Sequence, residues 1–259
     1  MGRIKLKILG GFEAAVDEET PLKFDTDIDR ALFVYLVAAA NRPLRRGSLV
    51  GLFWPEKTEA HARHSLCQAI HSLRKQLHSQ PVSDPFEVTP QTILFRLQDP
   101  SGMDYYEFDQ ILFACEQHCV NLDITCQACL ERLERAAELY HGDYCAGLTI
   151  KKCETFEEWL CLQRETYRLK YVRILDLLVN GLCSIGDIDK ALAYAYHKIF
   201  LDPYDETGQR KVIQLLMKLG RRKKAIEQYE VLRHLLATEL NIPPAKETID
   251  LYEQLLYQP

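Results

Sequence analysis

The first half of the N-terminal region shows short runs of regular hydrophobic spacing. Residues 4–8 (IKLKI) alternate apolar and basic side chains and are followed by a Gly-Gly turn, which predicts a half-buried strand, and we expect a second short strand after Pro21. Apolar positions at helical spacing predict a helix over 27–40 with acidic residues in its first turn, and a short helix over 46–53.

A third amphipathic helix and a pair of strands complete this region. Helical spacing continues over 61–78, and two β-rich runs at 86–89 and 92–97 flank Pro90–Gln91, which predicts a hairpin. Three helices followed by a two-stranded ribbon are the order of a winged helix-turn-helix. The sequence therefore predicts an α+β N-terminal winged helix-turn-helix.

From residue 105 onward the spacing is helical almost throughout. Ile185-Gly186 and Leu219-Gly220 are 34 residues apart, the period of tetratricopeptide helix pairs, and further helices are expected at about 105–117, 127–141 and 155–180. The turn-rich segment 99–104 (DPSGMD) separates the two patterns. We therefore expect two domains, a winged helix-turn-helix over 1–99 and an all-α, tetratricopeptide-like domain over 100–259.

The predicted third helix has one apolar and one basic face. Steps of 100° place Leu66, Ala69, Ile70, Leu73 and Leu77 on one stripe, which should pack on the domain's own core. The opposite face then carries polar and basic side chains, namely His61, His64, Gln68, His71 and Lys75. Such a face offers hydrogen-bond donors to phosphates and base edges.

Charge is distributed unevenly around this helix. The chain has a net charge of −5, yet residues 42–78 hold seven Lys and Arg against only Glu56 and Glu59. A solvated helix face normally mixes both signs, whereas this helix has no acid from Ala60 to Ser83. A metal site on the helix itself is disfavoured, because its histidines are too widely spaced for four converging ligands.

A second cluster of chemically reactive side chains lies at residues 115–129 (CEQHCVNLDITCQAC). A Cys-x-x-Cys pair with a Cys or His shortly upstream is an acceptable zinc spacing, so Cys115, Cys119, Cys126 and Cys129 are candidate ligands of a structural zinc. The alternative is that these cysteines are small buried thiols on helix faces, which would give the same spacing. Apart from this possible zinc, the sequence predicts no required cofactor. The N-terminus lacks the apolar core of a signal peptide, so we expect a cytoplasmic protein with reduced thiols and no membrane partner.

Several motifs resemble those of the Streptomyces antibiotic regulatory protein family of transcriptional activators. The short helix ending in 52–55 (LFWP) is followed by 62–66 (ARHSL) and 73–77 (LRKQL), and the second half contains 104–108 (DYYEF) and 140–144 (YHGDY). The resemblance implies a DNA-binding domain of response-regulator type and a bacterial transcriptional activator domain with tetratricopeptide repeats. Phosphate-binding loops and nucleophile elbows are absent from the sequence, so no enzyme activity is expected.

The resemblance also implies roles for individual residues and partners. The third helix would enter the major groove of double-stranded DNA, and the protein would bind promoter direct repeats as a homodimer and contact RNA polymerase. Candidate base contacts are His64, Gln68, His71 and Ser72; candidate phosphate contacts are Arg45, Arg46, Arg63, Arg74 and Lys75; Arg96 is the basic residue of the wing. The alternative is a tetratricopeptide scaffold whose winged helix binds protein instead of DNA.

Overall fold

The computed structural model describes residues 3–17, 20–78, 84–118 and 126–257. The chain divides into two compact units. The first comprises Met1–Gln110 and Leu139–Leu169, and the second comprises Ile111–Glu138 and Lys170–Pro259. Each unit is therefore built from two separate stretches of the chain. The predicted domain boundary between residues 99 and 100 remains a prediction.

The first unit begins with a small antiparallel sheet. Its strands are β1 (Ile4–Lys7), β2 (Glu13–Val16) and β3 (Thr20–Pro21), with β2 in the middle. Ile4 and Leu6 are buried, whereas Lys7 is exposed, as the alternation predicts. The predicted strand after Pro21 is misplaced, because β3 ends at Pro21 and the second strand, β2, precedes it.

Three helices and a second sheet follow. Their order is α1 (Asp27–Ala38), β4 (Leu44–Arg45), α2 (Arg46–Phe53), α3 (Glu59–His78), β5 (Phe86–Val88) and β6 (Thr92–Phe95). Helix α1 begins where the Thr26 hydroxyl accepts a hydrogen bond from the Asp29 amide. Strand β6 lies between β4 and β5, and the turn of the β5–β6 hairpin is closed by the Thr89 hydroxyl, which accepts from the Thr92 amide at 2.9 Å. The predicted winged helix-turn-helix is confirmed.

The first unit also includes residues from farther along the chain. A 3-10 turn (Pro100–Gly102) leads into α4 (Asp104–His118), and the unit resumes at 139–169 with the first half of α6 (Glu154–Ile185). Aromatic rings of α6 pack on the winged helix: Trp159 lies 4.9 Å from Tyr35, and Phe156 lies 5.1 Å from Phe53, between ring centroids. Residues 139–169 therefore share a hydrophobic core with the winged helix.

The second unit is helical. After the end of α4 it contains α5 (Gln127–Leu139), the second half of α6, α7 (Ile188–Leu201), α8 (Glu206–Lys218), α9 (Arg222–Leu235), a π-helical turn (Leu236–Leu240) and α10 (Lys246–Tyr257). Neighbouring helices from α7 to α9 pack against one another. The predicted all-α domain with the helix-pair arrangement of tetratricopeptide repeats is confirmed.

The repeated Gly positions end two helices of this unit in the same way. Gly186 and Gly220 have φ values of +86° and +68°, and the amides of Asp187 and Arg221 donate to carbonyls five residues earlier, at 2.9 and 2.8 Å. This is the Schellman cap, in which Gly avoids the steric penalty of a left-handed residue. The 34-residue spacing thus reflects one repeated helix ending.

Among the helices in the described part of the chain, none combines the length and apolar character needed to cross a membrane.

Candidate nucleic-acid interface

Helix α3 buries the face that the sequence predicts. The side chains of Leu66, Ala69, Ile70, Leu73 and Leu77 are all at most 5% exposed. Helix α3 contacts both α1 and α2. Because this stripe faces the core, the residues on the opposite side of the helix point away from the core.

Four residues form the outward face, which we call the α3 face: His64, Gln68, His71 and Lys75. All four are exposed. No hydrogen bond or ion pair joins any of their side chains to another residue within 3–17, 20–78, 84–118 or 126–257. Their donors and acceptors are therefore available to an external ligand, and all but Lys75 were predicted as base contacts.

Ser72, the fourth predicted base contact, has a different environment. Its side chain is half-buried, and its hydroxyl donates to the Asp25 carboxylate just before α1 at 3.0 Å. This hydrogen bond joins α3 to the segment that leads into α1. We therefore do not include Ser72 in the α3 face.

The predicted phosphate contacts divide into free and occupied cations. Arg45 and Lys75 are exposed and make no ion pair with any residue that the structure describes. Arg63 forms an exposed ion pair with Glu59 at 2.6 Å, one turn away on α3. The Arg46 guanidinium donates to the Cys67 sulfur at 2.9 Å, an α3 contact for which the sequence gives no signal.

Arg74 contacts the strand that follows α3. Its guanidinium donates to the Phe86 carbonyl at 2.9 Å and lies 3.1 Å from the Asp84 carboxylate and 5.8 Å from the centroid of the Phe86 ring. With its side chain only 32% exposed, Arg74 fastens β5 to α3. The structure thus gives Arg74 a role in positioning the wing.

The wing carries a paired charge. Arg96, one residue after β6, makes a two-pronged contact with Glu87 of β5 at 2.6 and 3.1 Å. The hydrogen bond from Arg96 lowers the pKa of Glu87, and the same bond raises the pKa of Arg96. Both groups therefore stay ionised near neutral pH, and the wing's basic residue is neutralised by its neighbour.

Asn41 connects helix α1 to the base of the wing, a role that the sequence analysis missed. Its φ is +63°, its side-chain amide donates to the Leu97 carbonyl at 3.0 Å, and its side-chain oxygen accepts from the Leu97 amide at 3.2 Å. Apart from Gly, Asn is the residue that most readily adopts a left-handed conformation. An Asn directly after a predicted helix was therefore the one sequence signal for this connection.

The candidate zinc ligands are only partly brought together. Cys126 and Cys129 lie close to one another with His118 as the third member of the group. Cys115 is buried, and its thiol contacts the Cys129 carbonyl at 3.7 Å. Cys119 lies outside the described residues.

Comparison with known proteins identifies the family. The family model named bacterial transcriptional activator domain matches residues 115–256, which is more than half of the chain. This chain belongs to the bacterial transcriptional activator domain family. The predicted resemblance to the Streptomyces antibiotic regulatory proteins is thereby confirmed, and the family is one of transcriptional regulators.

Two relatives extend the likeness over the whole chain. Regulatory protein AfsR of Streptomyces coelicolor is 24% identical over 262 residues, covering 98% of this chain and 24% of AfsR. The solved structure of Mycobacterium tuberculosis EmbR in complex with a low affinity phosphopeptide matches with a TM-score of 0.75 and 21% identity, covering 100% of this chain and 66% of that one. This chain therefore spans about a quarter of the curated relative, and the likeness to EmbR shows a shared fold.

Proposed function

We propose that this transcriptional regulator binds double-stranded DNA sequence-specifically through the α3 face and activates transcription. The observation that carries the proposal is the α3 face itself, which is exposed, without acidic residues and unpaired within the described part of the chain. A helix with such a face fits the major groove, where side chains reach base edges. No internal contact of the described residues needs to break before it binds.

The individual side chains suit different parts of the DNA. Gln68 lies at the centre of the α3 face and presents an amide, the group that recognises adenine through two hydrogen bonds. His64 and His71 lie on either side of it and provide further ring nitrogens for base edges. Lys75 and Arg45 supply positive charge for phosphates, which positions the helix without reading sequence.

We further propose that the protein binds promoter direct repeats as a homodimer and that the helical second unit contacts RNA polymerase. Support comes from the family, whose model covers residues 115–256 and is described as a transcriptional activator domain. The wing would reach the adjacent minor groove, since β5 and β6 form the hairpin next to α3.

The test begins with selection of bound fragments from a genomic library by the purified chain, followed by footprinting. Enrichment of a common repeated sequence is expected. Recovery of no common sequence would contradict DNA recognition and favour the protein-binding scaffold. The affinity for the selected site should then fall with salt, with a log-log slope of about −0.9 for each phosphate contact.

Two variants separate base reading from charge. Lys75→Gln should flatten the salt slope by about 0.9, because one phosphate contact is lost. Gln68→Ala should leave the slope unchanged but weaken binding to the selected site by about 1–3 kcal/mol, with little effect on unrelated DNA. Lys7→Gln is the matched control, since Lys7 lies on β1 and pairs with Glu13 at 3.1 Å. If Lys7→Gln and Lys75→Gln altered the slope equally, α3 would not be the DNA-binding element.

A further inference from the structure

Three metal-binding side chains converge in the second unit. His118 is the last residue of α4, Cys126 immediately precedes α5, and Cys129 lies in the first turn of α5. One ligand atom from each residue lies within 4.8 Å of the ligand atoms of the other two. The His118 Nδ1 atom and the Cys129 sulfur are 3.3 Å apart. The two helix ends therefore bring an imidazole and two thiols to one point.

The distance between His118 and Cys129 is close to that expected in a tetrahedral metal site. Zinc binds sulfur at about 2.3 Å and histidine nitrogen at about 2.0–2.1 Å, so two ligands at the tetrahedral angle stand about 3.6 Å (S···N) or about 3.8 Å (S···S) apart. The S···N separation of 3.3 Å lies within a few tenths of an ångström of that value. The ligand atoms of His118 and Cys129 therefore already lie near the spacing that one ion requires, and the Cys126 sulfur lies within 4.8 Å of both.

We propose that His118, Cys126 and Cys129 bind one thiophilic metal ion, Zn²⁺ being the expected occupant, and that the ion fastens the end of α4 to the start of α5. Two thiolates and an imidazole favour zinc over magnesium or calcium, which prefer oxygen ligands. Three protein ligands leave one position of a tetrahedral ion for a solvent molecule or a further ligand.

The environment of the two thiols supports metal binding. Cys126 immediately precedes α5 and is partly exposed. Cys129 is 1% exposed, so its sulfur is held in place by the surrounding core. His118 is exposed and gives an ion access from solvent.

A redox-active dithiol is the main competing explanation, since Cys126 and Cys129 form a Cys-x-x-Cys pair at the start of a helix. The convergence of all three groups favours the metal, because a disulfide needs only the two sulfurs whereas a tetrahedral ion uses the imidazole as well. The two explanations differ in what His118→Gln does. It removes a metal ligand but leaves both thiols.

The experiment measures metal binding to the full chain. Protein purified under reducing conditions is stripped, loaded with Zn²⁺ and dialysed, and its metal content is determined by mass spectrometry. We expect one ion per chain. Loss of a residue that is hydrogen-bonded to a metal ligand typically weakens metal binding by about 10- to 100-fold. His118→Gln and Cys126→Ser each remove a ligand itself and should therefore weaken binding by more than that. Both positions are at least partly exposed, so these variants should fold.

Cobalt and two control variants make the result specific. Co²⁺ loaded in place of zinc should give a thiolate-to-metal absorption band that weakens in Cys126→Ser. Cys161→Ser, which removes an exposed thiol of α6, and Cys115→Ser, which removes a buried thiol near the cluster, should both keep the ion. Absence of metal from the reduced wild-type protein would overturn the proposal. So would full binding by His118→Gln, or a Cys126–Cys129 disulfide that forms in the presence of saturating Zn²⁺.

Discussion

The carboxylate of Asp104 holds the end of the first strand to the start of α4, and its removal should destabilise the first unit. Its Oδ2 atom accepts hydrogen bonds from the amides of Ile8 at 2.7 Å and Leu9 at 2.9 Å, and its Oδ1 atom accepts from the Tyr105 amide at 2.7 Å. Ile8 and Leu9 are at most 2% exposed. After the change Asp104→Ala, water therefore has little access to these two amides, which directly follow β1.

The size of the effect follows from those two amides. A buried donor left without a partner costs about 1–3 kcal/mol, so Asp104→Ala should lower the free energy of unfolding of the first unit by about 2–6 kcal/mol. The Tyr105 amide adds less, because it lies at a helix start that is half-buried. Asp143→Ala is the matched control: it removes an exposed carboxylate of the same unit and should change stability by at most about 0.5 kcal/mol.

Tryptophan fluorescence during urea denaturation measures this unit selectively. The chain has two tryptophans, Trp54 and Trp159, and both belong to the first unit. We expect the fluorescence transition of Asp104→Ala to move to lower urea with little change in slope. Equal midpoints for Asp104→Ala and Asp143→Ala would refute the inference that the carboxylate satisfies buried amides.

Three further predictions concern charge and backbone geometry. Glu87→Gln should release Arg96 from its ion pair. If the wing contacts a phosphate, the log-log slope of DNA affinity against salt concentration should then become steeper by about 0.9. An unchanged slope would show that Arg96 does not contact the DNA. Gly10→Ala should lower the free energy of unfolding by about 1–3 kcal/mol, because Gly10 has φ +134° and a Cβ there would lie 2.9 Å from the His141 Cβ. Urea denaturation measures this change, and a variant as stable as wild type would contradict the prediction. Burial raises the pKa of Asp104 despite its hydrogen bonds, so the folded state binds its proton more tightly than the unfolded state. The free energy of unfolding of wild type, relative to that of Asp104→Asn, should therefore fall as pH rises from the ordinary pKa of Asp through the raised pKa of Asp104. A rise over that pH range would show that folding lowers the pKa of Asp104.

The elements of the fold were predictable because their signals are local. The alternation at 4–8 and the apolar stripe of 61–78 each specify a buried face without reference to the rest of the chain. The same stripe determines the outward direction of Gln68 and Lys75, so most of the α3 face follows from the sequence. The 34-residue Gly spacing predicted the helix pairs for the same reason, since a left-handed helix end depends on one residue.

The charge pairing at the candidate interface was not predictable from local pattern. Ser72 contacts an acid 47 residues earlier, and Arg96 pairs across two strands with Glu87. The Ser72 contact is set by tertiary structure and the Arg96 pair by the register of the hairpin, whereas counting charges along the sequence treats every cation as free. The cysteine cluster shows the same limit, because its spacing allowed several ligand sets and only the meeting of two helix ends selects His118.

The first unit also explains why a sequence boundary and a structural boundary need not coincide. The change of hydrophobic pattern near residue 100 marks where strands give way to helices, yet Phe53 of the winged helix is 1% exposed and lies against Phe156. The Cys153 thiol donates to the Phe53 carbonyl at 3.3 Å, across 100 residues of chain. An isolated segment 1–99 would expose this aromatic surface to water, at a cost that scales with the apolar area uncovered. The residues needed for a stable winged helix therefore include part of the segment that the family model assigns to the activator domain, and the DNA-binding module should be studied with residues 139–169 present.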